Sequence, residues 1–178
     1  MRNWSKTILS VYKYLEALSN SIDDLVVKKS IASAFYNNAR FNSAYDCANT
    51  VMQLTDRKIN LINLKVLVED VLSNMPLKYK KVLALSYIDG VKNEDIANIM
   101  HISDRTFFRV KNSALDIFTK TLMGMGYSKE RLEEMFCGEN WLKHLYKANC
   151  KEVKCDFDDD IIKYKFFKNV IREFNMVY

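Results

Sequence analysis

The chain has 178 residues, 49% of them apolar and 12% aromatic, which is enough to build a packed core and too much for a disordered segment. Its formal net charge of +5 suits an anionic partner without demanding one. Four glycines and the single Pro76 leave few of the breakers that β folds use at every turn, so an all-α fold is expected.

Cys47, Cys137, Cys150 and Cys155 form no CxxC pair and read as reduced thiols of a cytoplasmic protein. Ser5, Lys6, Lys13 and Glu16 interrupt the apolar residues at the start of the chain, so no secretory leader is expected there. No window reaches the roughly 18 uninterrupted apolar residues of a membrane span, and no membrane partner is expected.

In chain order, Ile8, Val11, Leu15, Leu18, Ile22, Leu25 and Val26 recur at steps of three and four, which predicts one amphipathic helix over residues 3–29. Its stripe suits packing on residues 44–74 or pairing with a second copy as a homodimer. Residues 30–43 lose the period and read as a connection. Cys47, Val51, Leu54, Ile62, Leu67, Val71 and Leu72 restore it over residues 44–74, with room for a break near Asp56 to Asn60. Pro76 should open a new helix carrying Leu77, Val82, Leu83, Leu85 and Tyr87, and Asp89-Gly90 should stop it. Gly124 and Gly126 end a later helix, Ser128 caps a short one with Leu132, Met135 and Phe136, and Trp141 to Tyr146 continue helically. Asp156 to Asp160 read as a loop before a last amphipathic helix with Ile161, Ile162, Phe166, Phe167, Val170 and Phe174. These breaks divide the chain into an N-terminal helical interaction or dimerisation region, 1–74, a central unit, 75–123, and a C-terminal helical extension, 124–178. Lys and Arg stand against Asp and Glu at 9 to 7 in residues 1–75, 8 to 5 in 76–123 and an even 10 to 10 in 124–178, so the excess is largest in the centre.

The stretch NEDIANIMHISDRTFFRVKNSA, Asn93 to Ala114, carries the functional signal. Ile96, Ala97 and Met100 share a face of a short helix whose first turn holds Glu94 and Asp95, where the helix dipole favours carboxylates. His101 and Ile102 make a turn, and Ser103 is an N-cap for a second helix with Phe107, Val110 and Ala114 inward. These are the parts of a helix-turn-helix, with Ala97 as the small residue at the close approach and Ile102 as the apolar turn residue. Asp104, Arg105, Phe108, Arg109 and Asn112 are then turned outward. Arg and Asn suit guanine and adenine edges in the major groove.

Residues Met75 to Ala114 resemble the fourth region of bacterial sigma factors. The resemblance is carried by Met75-Pro76, Gly90, Glu94-Asp95-Ile96-Ala97, Ile102-Ser103 and Thr106. It implies docking on RNA polymerase and reading of an upstream promoter element, with Arg105 and Arg109 reading bases and Asp104 and Phe108 lining the same surface. It further implies that Thr106 contacts phosphate or caps the helix and that Lys78, Lys80 and Lys81 approach the DNA backbone. Ser103 and Lys111 join this backbone set. The chain departs from the family in having His101 where Gly is usual and in the bulk of Phe107-Phe108. His is among the residues enriched at positive φ, so the turn should survive. Residues 1–74 do not resemble the aromatic-rich region that melts promoters, so promoter opening is not expected of them.

Cys137, His144, Cys150 and Cys155 lack the close pairs of structural zinc sites, and Asp158, Asp159 and Asp160 come without a phosphate cradle. No nucleophile, base and orienter can be named, so the expectation is no enzyme, no metal and no cofactor. The reading is a sequence-specific DNA-binding transcription regulator or sigma-like factor, cytoplasmic and nucleoid-associated, with double-stranded DNA and RNA polymerase as partners. The alternative is a non-DNA-binding interaction module that keeps a sigma-like fold to bind RNA polymerase or a partner protein.

Overall fold

In a computed structural model, residues 1–35 and 44–150 are described. The fold is all-α, and among the described residues every regular element is helical. The helices are α1 (Arg2–Tyr12), α2 (Leu15–Phe35), α3 (Ala44–Ser73), α4 (Leu77–Leu83), α5 (Asn93–Ile99), α6 (Asp104–Gly124), α7 (Lys129–Met135) and α8 (Asn140–Cys150), with a π-helical turn over Ala84–Ile88. The loop expected at 156–160 and the helix expected after it lie outside the described residues.

Residues 1–13 and 64–150 form one compact unit, and residues 14–35 and 44–63 belong to a second. The boundary expected near residue 75 falls inside the first unit. In that unit α6 packs against α1, α4 and α5, and α1 packs against α8. Trp4 stacks on Tyr146 with ring centroids 4.5 Å apart, and the Ser5 and Thr119 hydroxyls meet at 2.8 Å in the interior. Burying that polar pair is tolerable because each hydroxyl has a partner. In the second unit, the Lys58 ammonium meets the Asp23 carboxylate, and the Cys47 thiol points to the Lys29 carbonyl.

Three expectations are corrected. The single helix over 3–29 is two, α1 and α2, separated by a turn at Lys13 and Tyr14. The apolar spacing runs unbroken through that turn and no Gly or Pro marks it, so the break follows from packing. Trp4, Ile8, Leu9 and Val11 are buried from α1 in the first unit, and Leu15, Leu18, Ile22 and Leu25 from α2 in the second. The stripe that suited a second copy is thus part of this chain's own core. The break near Asp56 to Asn60 is absent, since α3 runs from Ala44 to Ser73. Leu54, Leu61, Leu64, Leu67, Val68 and Val71 keep one face of it buried, while Ile62, expected in the stripe, is largely exposed. Finally, residues 30–35 of the connection expected over 30–43 are helical, since α2 runs to Phe35, and residues 36–43 lie outside the described residues.

Other signals behave as local chemistry requires. Pro76 precedes α4, and its carbonyl accepts from the Tyr79 and Lys80 amides. Gly90 has φ +66°, a value at which L side chains are strained, and it ends the segment after the π-helical turn. Ser128 caps α7 through the Arg131 amide. Leu77, at the start of α4, is exposed.

Candidate nucleic-acid interface

The short helix α5 is followed by a turn whose backbone bonds account for its shape. The Ile102 amide donates to the Ala97 carbonyl at 3.0 Å and the His101 amide to the Asn98 carbonyl at 3.0 Å. This is the Schellman pattern of a helix C-terminus, which requires a left-handed residue one place past the C-cap and sets an apolar residue after it against the helix. His101 is that residue, at φ +53°, and Ile102 packs on the cluster that contains Ala97.

Ser103 then caps α6. Its Oγ accepts from the Thr106 amide at 3.4 Å and lies 2.9 Å from the Thr106 hydroxyl, so both side chains close the helix start. Val82 of α4, Ile96 and Ala97 of α5, and Phe107 and Val110 of α6 form a buried cluster with Tyr79, Leu85, Val91, Met100 and Ile102 around it. Phe107 and Val110 thereby fix the rotation of α6. Asp104, Arg105, Phe108, Arg109 and Asn112 are exposed, and Arg105, Phe108, Arg109 and Asn112 recur at helical steps along one face. Phe108 is 50% exposed and meets Phe107 edge-on at 5.4 Å.

Two of the residues expected at the interface are engaged within the chain. Lys111 is half-buried, and its ammonium donates to Asn93 Oδ1 at 2.9 Å and lies over the Tyr87 and Phe107 rings. Asn112 Oδ1 accepts from Arg2 Nη2 at 2.8 Å. Bidentate pairing with adenine needs the oxygen as acceptor and the nitrogen as donor together, so Asn112 would have to share its Oδ1, which keeps a second lone pair, with Arg2. Lys78 and Lys81 of α4 are exposed and Lys80 is half-buried.

Sequence reasoning missed Arg2 and Asn93. Asn93 had a local signal, being a polar residue at the start of α5 on the side that α6 approaches. Arg2 had none, because the contact spans 110 positions.

Among the described residues no group of three or more His, Cys, Asp or Glu side chains could hold a metal ion, and Cys155 of the considered zinc set lies outside them. Cys47, Cys137 and Cys150 are free thiols. No described helix is long and apolar enough to cross a membrane.

No curated protein and no solved structure matches the chain. Residues 65–109 do match a family model, that of sigma-70, region 4, so the segment that builds the end of α3, α4, α5 and the start of α6 is a sigma region-four-like helix-turn-helix.

Proposed function

We propose that the chain is a sequence-specific transcription regulator or sigma-like factor that lays the α6 segment Ser103 to Asn112 in the major groove of double-stranded DNA. The observation that carries this reading is the buried pair Phe107 and Val110, which orients α6 so that Arg105, Phe108 and Arg109 stand outward beside a closed N-cap. Arg105 and Arg109 read guanine edges, Asp104 and Phe108 line the same surface, and Asn112 donates through Nδ2. Lys78, Lys80 and Lys81 contact phosphate, and Ser103 and Thr106 do so to the extent that their cap leaves hydroxyl donors. Lys111 serves the backbone by charge alone, since its ammonium is held by Asn93. RNA polymerase is the protein partner, and the site of action is the cytoplasm at the nucleoid.

A second reading, a protein-interaction module with no DNA role, is favoured by the exposed apolar side chains of Leu77 and Phe108. The two are separated by selecting bound fragments from random DNA and then measuring anisotropy at two salt concentrations. Arg105→Ala and Arg109→Ala should each cost roughly 1–3 kcal/mol of discrimination at one base pair, while Lys80→Ala should weaken all sequences alike and lower the salt slope by about one. If both folded arginine variants bind the selected site as the parent does, the interaction module takes its place.

A further inference from the structure

Arg2 is carried by α1 onto the outward face of α6. Its Nη2 donates to Asn112 Oδ1 at 2.8 Å and its Nε lies 3.3 Å from Asp116 Oδ1. The placement of α1 is set from the inside, by Trp4 stacked on Tyr146 and by the buried Ser5 and Thr119 hydroxyls. The ion pair itself is exposed, with side-chain accessibilities of 44% for Arg2 and 52% for Asp116. A pair that open to water adds little to stability, so stabilisation is a poor account of why the interior directs Arg2 to this spot.

The position has an electrostatic consequence. Arg105, Arg109, Asn112 and Asp116 recur at steps of four, three and four, which is one face of a helix. At about 1.5 Å per residue, Asp116 lies about 16 Å along the axis from Arg105, beyond the roughly 12 Å width of the major groove. The end of the face at Asp116 therefore falls where phosphates run rather than where base edges are read. A bare carboxylate at that place would repel DNA. Arg2 neutralises it as an ion pair and, with one donor given to Asn112, keeps further N–H donors for an anion.

We propose that Arg2 is a DNA phosphate-contacting residue, delivered by α1 to the rim of the reading face of α6, where it also masks Asp116. The inference rests on the DNA reading proposed above and adds to it a contact from outside the segment that matches the sigma region. The helix-turn-helix is thus made competent for DNA by a helix from the far end of the chain.

The test uses the full chain, a site selected from random DNA, and scrambled DNA of the same length. Arg2→Ala should weaken binding to both by roughly tenfold, as expected for losing a charged hydrogen bond, and lower the log-log salt slope by about 0.9. Arg2→Lys should keep the slope, because the charge remains. Asp116→Asn placed on Arg2→Ala should recover part of the affinity, which a role confined to fixing α1 would not produce. Helical circular dichroism on each variant identifies any that fail to fold, and Arg2→Lys keeps the comparison available if Arg2→Ala is one of them: a lower salt slope in a folded Arg2→Lys protein overturns the proposal. So does an Arg2→Ala protein with parental affinity and slope, or one whose loss Asp116→Asn does not relieve. A parent chain that binds neither DNA overturns the DNA reading itself and this inference with it.

Discussion

Lys111 joins the two helices of the turn unit: its ammonium donates to Asn93 Oδ1 of α5 at 2.9 Å while lying 5.3 Å from the centroid of the Tyr87 ring. A half-buried charged hydrogen bond with a cation–π contact beside it should matter to stability. Lys111→Ala and Asn93→Ala are each expected to cost about 1–2 kcal/mol in urea unfolding, and the double variant less than the sum. Unchanged stability in Lys111→Ala, with binding to all DNA sequences weakened, would instead make Lys111 a phosphate contact.

His101 occupies a left-handed position, at φ +53°, where a Cβ is unfavourable. His101→Gly should relieve that strain while raising the entropy of the unfolded chain, leaving a net gain of between about 0 and 1 kcal/mol. A β-branched residue cannot adapt, so His101→Val should lose about 1–2 kcal/mol. Thermal melts of the two variants should shift in opposite directions or, at the least, differ in this order.

Phe107 and Phe108 are neighbours in sequence with opposite tasks. Phe107 is fully buried, and Phe107→Ala should cost on the order of 3–5 kcal/mol and unfold the helix-turn-helix. Phe108 is half-exposed, and Phe108→Ala should cost under about 1 kcal/mol. Its effect is expected in binding rather than in the melt. An equal loss of stability in both would mean that the rotation of α6 has been misassigned.

The Tyr146 hydroxyl should give the fold an alkaline limit. Burial against Trp4, then its hydrogen bond to Cys150 and the electrostatic influence of Cys150 and of Glu133, push its pKa up to about 12 from 10. The folded state therefore favours the neutral phenol. Its contribution is fully present below pH 10, the unfolded value, and is lost as pH rises toward 12. Between those limits the melting temperature of the parent should fall faster with pH than that of Tyr146→Phe, and parallel curves would count against the shift.

The first unit is held by apolar burial, as in the cluster around Phe107, and its described Cys and His side chains do not converge. Treatment with a chelator is expected to leave the helical circular dichroism unchanged. Loss of signal that zinc restores would show that Cys137, Cys150 or Cys155 ligates a metal.

The sequence by itself determined the helix-turn-helix, because its determinants are local. The Ser103 cap, the His101-Ile102 turn, the small Ala97 and the inward spacing of Phe107, Val110 and Ala114 each act within a few residues, and each is found in the structure. The same locality made the faces of α6 readable. Tertiary structure alone decided the rest. The turn at Lys13 and Tyr14 leaves the apolar period intact, and the division appears only because Val11 and Leu15 are buried in different units. Periodicity tells which side of a helix is apolar, not which partner covers it. In the same way, no pattern near Arg2 could announce Asn112 and Asp116, since a contact across 110 positions exists only once Trp4 and Ser5 have seated α1 on α8 and α6.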